Sequence, residues 1–233
     1  MALPFFYEEN ISTKNTSFIL SEETSKHCIQ VLRMKQGEQL QITNGKGNAF
    51  IASIITEDKK ACAVKIIETK FHPAHTRKLS IGISLLKNSH RFEWFLEKVT
   101  EIGVNEIIPL ICKRTEREHF RFDRMNAILI AAMLQSQQTW LPKLHEPIDV
   151  KTIIQQSTAQ QKLIAHCEDL VKQEIKNLSA ENNAQILIGP EGDFTIDEIQ
   201  LAAQNQYQPV SLGTTRLRTE TAGVVAAALL MNF

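Results

Sequence analysis

The chain has 233 residues with 26 basic and 26 acidic side chains, so its formal net charge is zero and any nucleic-acid contact must come from local patches. A hydrophobic share of 43% suits a globular protein of one large or two small domains, and no segment approaches the ~20 uninterrupted apolar residues of a membrane helix. Cys28, Cys62, Cys112 and Cys167 are scattered, with no C-x-x-C pair and no metal-like spacing to histidine; they are expected to be reduced, mostly buried thiols of a cytoplasmic protein without a metal.

The segment from Met1 to Glu9 lacks the basic start and long apolar core of a signal peptide, which fits the same location. The first ~70 residues are β-rich. Ser25 to Met34 is the one helix expected there, with Ile29, Val31 and Leu32 facing inward. Leu40 and Ile42 then alternate with polar residues before the turn Asn44-Gly45-Lys46-Gly47. Phe50 to Ile55 and Ala61 to Ile67 are further β-branched runs, separated by the charged turn Glu57 to Lys60. Short strands joined by tight turns predict a small barrel. Pro73, within Phe71 to His75, blocks helix and offers no donor to a sheet, so a linker is placed there, between domains spanning 1–72 and 73–233.

From Leu79 strands and helices alternate. Leu79, Ile81, Ile83 and Leu85 mark a strand, and Phe92, Phe95, Leu96, Val99 and Ile102 share one helical face opposite Glu93, Glu97, Lys98 and Glu101. Gly103 ends that helix, Ile107 to Ile111 is a strand, and Phe122, Met125, Ile128, Leu129, Ala132 and Met133 mark a second amphipathic helix. Strands are expected at Leu163 to Ala165, Gln185 to Ile188 and Pro209 to Leu212. Thr195 and Glu198 form a capping box for a helix with Ile199, Ala202 and Ala203 inward, and an Ala-rich helix runs from about Thr219 to Met231. The alternation implies an α/β domain with a parallel sheet covered on both faces.

Two loops at the ends of predicted strands carry the chemistry: Gly189-Pro190-Glu191-Gly192-Asp193 and Gly213-Thr214-Thr215-Arg216-Leu217-Arg218-Thr219-Glu220. Glycine-bearing loops at strand ends are where an open α/β sheet binds its ligand. A triphosphate is excluded by the lack of a glycine-rich stretch closed by Lys-Ser or Lys-Thr, and a dinucleotide by the lack of G-x-G-x-x-G. His166-Cys167 ends a third strand and is a candidate first loop of the same site. As neighbours on a strand the two side chains point to opposite faces, so they do not form a nucleophilic dyad with each other.

The Gly189-Pro190-Glu191-Gly192 loop and the Leu217-Arg218-Thr219-Glu220-Thr221-Ala222 run resemble signatures of the 16S ribosomal RNA uridine N3-methyltransferases, of the SPOUT superfamily. His27 to Arg33 followed by Gly37 is similar to the family's N-terminal motif. Lys87, Lys98, Glu101 and Gly103 are similar to the first-helix pattern, and Gln135-Ser136 with Pro142 to the middle motif. Asp193 stands where the family usually has a second glycine, Leu134 and Gln138 replace an acidic residue and an arginine, and Arg216 replaces an aliphatic residue. The resemblance implies a PUA-like RNA-binding β-barrel followed by a trefoil-knot domain that binds S-adenosylmethionine and works as a homodimer on 16S rRNA of the small ribosomal subunit.

On that resemblance, cofactor contacts are expected from His166, Ile188, Gly189, Pro190, Glu191, Gly192, Leu212, Gly213, Leu217, Arg218 and Thr219. Arg218 would stabilise negative charge developing on the uracil oxygens, and Glu220 would accept the N3 proton; the alternative is a structural ion pair between these two at a helix start. RNA contacts are expected from Arg33, Lys87, Arg91 and Arg114, within a wider basic group of Lys113, Arg117, Arg121 and Arg124. The rivals are methylation of another RNA atom, such as a tRNA ribose 2′-hydroxyl, and a non-catalytic ribosome assembly factor.

Overall fold

In the computed structural model, which describes residues 3–116, 118–168, 171–179 and 181–231, the chain forms two compact units. One comprises Met1–Ala74 with Met133–Leu141, the other His75–Ala132 with Pro142–Phe233.

In the first unit, β1 (Phe5–Tyr7), β2 (Ser17–Ile19), α1 (Glu22–Lys26), β3 (Gln39–Thr43), β4 (Asn48–Thr56) and β5 (Ala63–Phe71) follow in sequence. The sheet order is β1-β3-β4-β5-β2, with β1 and β3 parallel and the other pairs antiparallel. Period-2 alternation sends Leu40, Ile42, Ala52, Ile54 and Val64 into a core shared with Phe50, Cys28 and Cys62. The single helix expected over Ser25 to Met34 is replaced by two turns of different kind. Ser21 caps α1, whose last turn passes into a π-helix over His27–Val31. There the Leu32 N–H reaches back to the His27 carbonyl at 2.9 Å, five residues away. This wider turn rotates the apolar face: Thr24, Ser25 and Cys28 are buried, Ile29 packs on the core, and Val31 and Leu32 are 65% and 44% exposed. Residues Met133–Leu141 join this unit through nonlocal bonds, the Gly47 N–H donating to the Thr139 carbonyl and the Leu141 N–H to the Gly45 carbonyl, both at 2.9 Å.

The second unit runs β6 (Lys78–Ser84), α2 (Ser89–Ile102), β7 (Glu106–Ile111), α3 (Phe122–Gln135), β8 (Lys143–Leu144), β9 (Ile148–Asp149), α4 (Val150–Gln156), β10 (Gln161–Ala165), β11 (Gln173–Glu174), β12 (Asn183–Ile188), α5 (Ile196–Gln204), β13 (Gln208–Ser211) and α6 (Thr219–Met231). The last residues of α3, from Met133, belong to the first unit. The sheet order is β11-β13-β10-β12-β6-β7-β8, with β9 also against β7, and every pairing is parallel. Parallel strands need both faces covered, and alternate residues of the central strands supply the two apolar surfaces. Leu187 and Leu110 pack with Ile154, Ile199 and Ala202 under α4 and α5. On the other face Ile83 meets α6 at Gly223, where the Phe95 ring of α2 also packs.

Helix ends follow the local chemistry. Asn88 caps α2, and Gly103 ends it in the left-handed region at φ 94°. The Thr195–Glu198 capping box opens α5. On α5, Ile199 and Ala202 are buried as expected, whereas Ala203 is exposed; the half-buried Leu201 takes the inner position, because so short a helix buries only a narrow stripe. Cys28, Cys62 and Cys112 are buried, and Cys167 is exposed. Among the described residues no helix is long and apolar enough to cross a membrane.

Candidate functional site

Because β13, β10 and β12 are parallel neighbours, their C-terminal ends open on the same sheet edge and the loops that follow lie side by side. They enclose a cleft of about 680 Å³ in the second unit. The loop after β10 contributes His166, Cys167 and Lys172, and the loop after β12 contributes Gly189, Pro190, Glu191 and Asp193. The loop after β13 contributes Leu212 to Arg218, Thr219 and Ala222 come from α6, and Arg91 comes from α2.

His166 is 7% exposed, and neither ring nitrogen has a hydrogen-bond partner among the described residues. Burial, with the Lys172 ammonium beside it, pushes its pKa below the ordinary value, so the imidazole is neutral and has one donor and one acceptor to offer a ligand. Lys172 itself donates to the His166 carbonyl at 2.9 Å.

The second loop is held from several sides. The Asp193 N–H closes a turn onto the Pro190 carbonyl at 2.9 Å. Asp193 lies at φ 66°, the left-handed conformation that explains why glycine suits this position. Its carboxylate accepts from the Cys167 N–H at 2.6 Å and from the Phe194 N–H at 2.7 Å, so it ties the loop after β12 to the loop after β10. A Cβ at Gly189 would sit 3.0 Å from the Phe194 ring.

Glu220, in the first turn of α6, is 6% exposed; one carboxylate oxygen lies 3.7 Å from the Arg91 Nε and the other is buried without a hydrogen-bond partner among the described residues. Its ion-pair partner is therefore Arg91 of α2. Arg218 lines the cleft and is exposed. Glu220 is not itself on the cleft lining, but Thr219, Ala222 and Arg91 around it are.

Of the residues expected at the cofactor, His166, Ile188, Gly189, Pro190, Glu191, Leu212, Gly213, Leu217, Arg218 and Thr219 line the cleft. Gly192 lies off the lining, against the Arg114 side chain. Arg114 donates from Nη1 to the Gly192 carbonyl at 2.7 Å and more weakly to the Phe194 carbonyl at 3.4 Å, so its guanidinium braces the loop. Lys87 pairs with Glu116 at 2.8 Å, and its N–H donates to Glu191 at 3.3 Å. Arg124 holds Glu93 in a two-point contact, each 2.9 Å. Arg33 is in the first unit, exposed, at φ 56°; Arg117 lies outside the described residues. In the middle motif Leu134 is half-buried and the Gln138 side chain donates to Ser136 at 3.2 Å. Sequence reasoning missed Lys172, the Asp193 tie and the pairing of Arg91 with Glu220. Only the Asp193 tie had a signal in the sequence, an acidic residue at a position otherwise suited to glycine.

Residues 73–231 match the model of an RNA methyltransferase domain and residues 20–67 that of an RNA methyltransferase PUA domain. The chain belongs to this RNA methyltransferase family. The ribosomal RNA small subunit methyltransferase E of Buchnera aphidicola subsp. Acyrthosiphon pisum is 31% identical, over 99% of this chain and 93% of its own. The enzyme of the same name from Neisseria gonorrhoeae, crystallised bound to S-adenosyl methionine, superposes with a TM-score of 0.87 at 26% identity, covering 97% of this chain and 96% of its own. A "probable rRNA-methyltransferase" from Porphyromonas gingivalis is 36% identical with a TM-score of 0.89, over 97% of this chain and 95% of its own. These full-length similarities give this RNA methyltransferase a PUA-like N-terminal unit and a mixed α/β unit on a parallel sheet, the fold class expected from sequence.

Proposed function

We propose that the protein transfers a methyl group from S-adenosylmethionine to N3 of one uridine in 16S rRNA of the small ribosomal subunit. The observation that carries this reading is the three-loop cleft, in a chain of this family, lined by the buried neutral imidazole of His166, whose ring nitrogens have no hydrogen-bond partner among the described residues. Those orphaned atoms fit a ligand rich in donors and acceptors, since a buried polar group left unpaired costs roughly 1–3 kcal/mol. When bound, S-adenosylmethionine supplies an electrophilic methyl group on a sulfonium and needs no metal to do so.

His166, the backbone from Ile188 to Glu191, and Leu212, Gly213, Leu217 and Thr219 hold the cofactor, and Gly192 shapes its loop. The target nitrogen lies on the Watson–Crick edge, so the uridine must be unpaired or extruded. Arg218, exposed on the rim, offers its planar fork to O2 or O4 as charge develops there. Glu220 takes the N3 proton through its unpartnered oxygen, while Arg91 holds the other oxygen. Lys87, Arg91 and Arg114 on the second unit and Arg33 on the first are the basic residues that contact the RNA. The N-terminal unit places the RNA, the chain crossing behind the three loops is knotted, and the enzyme is cytoplasmic. The homodimer is supported by α6, whose half-buried Val224, Val225, Ala228 and Leu229 leave apolar surface beyond that buried within its own unit.

The test is to incubate the protein with methyl-labelled S-adenosylmethionine and small subunits from cells lacking this enzyme, then digest the RNA. Label in 3-methyluridine at one position is expected. Label in another nucleoside overturns the target, and no label despite cofactor binding overturns the enzyme in favour of an assembly factor.

A further inference from the structure

Far from the cleft residues in sequence, the first unit carries two aromatic side chains on its surface, Phe71 at the end of β5 and Trp140 in the segment after α3, 59% and 37% exposed. Exposed aromatics are ordinary, but this pair is fixed in place. The Trp140 Nε1–H donates to the His72 carbonyl at 2.9 Å, which occupies the indole's one polar group. One side of the indole lies on the backbone of Gly47, where a Cβ would come within 2.6 Å of the ring. That contact and φ 86° both demand glycine there. The Phe71 ring meets the indole edge-on, with centroids 6.2 Å apart and planes at 78°. The Gly47 N–H bond to Thr139 fixes the backbone beneath. Neither a core nor a catalytic role accounts for an indole so constrained yet open to solvent.

Its bridge partner is basic. Lys46 forms an antiparallel bridge with Trp140, so the two side chains leave the same face; this lysine is exposed and is in no ion pair among the described residues. A flat apolar face beside an uncommitted ammonium group matches an unpaired nucleotide, whose base stacks while its phosphate meets the lysine. We infer that Phe71 and Trp140 form a stacking platform for an unpaired base of the RNA substrate, with Lys46 as a phosphate contact. The inference rests on the RNA methyltransferase reading above and extends it to two aromatic side chains that lie outside the matched PUA segment of residues 20–67.

The experiment uses the full chain with Trp94→Phe, so that Trp140 is its only indole, titrated with a short unpaired oligouridine. Quenching of Trp140 emission is expected on binding. By fluorescence anisotropy of the same oligouridine carrying a terminal dye, a readout that needs no indole, Phe71→Leu and Trp140→Leu each raise the Kd at least fivefold, the low end of a lost base stack, and leave the dependence of log Kd on log salt unchanged. Lys46→Ala instead lowers that slope by about one phosphate contact. A Kd within twofold of the parent's for both aromatic variants overturns the platform, as does binding without quenching. Emission that shifts with protein concentration alone overturns it in favour of a second copy of the chain. Methylation of the small subunit is read separately, so loss of the platform and loss of the enzymatic reading are distinguishable.

Discussion

Replacing Asp193 with glycine exchanges a strained, bonded residue for a relaxed, unbonded one. The bond to the Cys167 N–H joins two loops at 2.6 Å and, as a charge-assisted bond at a partly solvated site, contributes about 1.5 kcal/mol. The bond to the adjacent Phe194 N–H at 2.7 Å is local and contributes about 0.5 kcal/mol. Against these, glycine relieves about 1 kcal/mol of left-handed strain at φ 66°, while enlarging the freedom of the unfolded chain by about 0.5 kcal/mol. The balance is a loss of about 1.5 kcal/mol, which lowers Tm by roughly 3–6 °C for a chain of this size. Urea unfolding and hydrogen exchange at the Cys167 amide measure the two parts. Asp193→Asn keeps one acceptor oxygen and falls between. A glycine variant as stable as the parent, with Cys167 exchange unchanged, would refute the inter-loop tie.

Glu220→Gln keeps shape and removes the proton acceptor; methyl transfer is expected to fall by roughly 10²–10⁴-fold while calorimetric cofactor affinity stays within a few-fold, and a full rate would remove the base assignment. Gly223→Ala places a Cβ 2.5 Å from the Phe95 ring and 3.1 Å from Ile83. Overpacking of about 2 kcal/mol outweighs a gain of about 1 kcal/mol in helix propensity, so Tm drops by roughly 2–4 °C; an unchanged or higher Tm contradicts the close α2–α6 packing. The depressed pKa of His166 means that its neutral form is favoured in the folded protein. Its contribution is present above the ordinary value of 6.5 and is lost as pH falls below it toward the folded pKa. Thermal unfolding between pH 7 and 5 should therefore be less pH-sensitive in His166→Asn than in the parent, and identical slopes would count against a buried, neutral imidazole.

What the sequence made legible was local. The 3.6-residue spacing of Phe92, Phe95, Leu96 and Val99, closed by Gly103, marks the end of α2, whose observed start at Ser89 lies three residues before Phe92. The apolar runs before Gly189 and Gly213 correctly signal strands whose loops share one cleft. What escaped depends on contacts between residues distant in the chain. The π-turn that exposes Val31 and Leu32 leaves the apolar pattern helical while shifting its phase. Nothing near Thr139, Trp140 or Leu141 announces that their partners are Gly45, Gly47 and His72. Arg91 looks like one more surface cation of α2 until Glu220, brought in by α6, lies 3.7 Å away.

The position of α6 has a consequence for how the protein is made. β6 is the first strand of the second unit to leave the ribosome, yet α6, which helps cover it, is the last element of that unit to be synthesised. Until α6 arrives, Ile83 and the Phe95 ring lack the helix that packs on them, and the nascent sheet presents an uncovered apolar face. Pairings over such sequence separations form slowly and leave intermediates prone to association. Translation of the last elements, rather than folding of the earlier βα units, therefore sets when the nascent polypeptide becomes an enzyme, and premature termination before Thr219 yields an aggregation-prone product instead of a weaker methyltransferase.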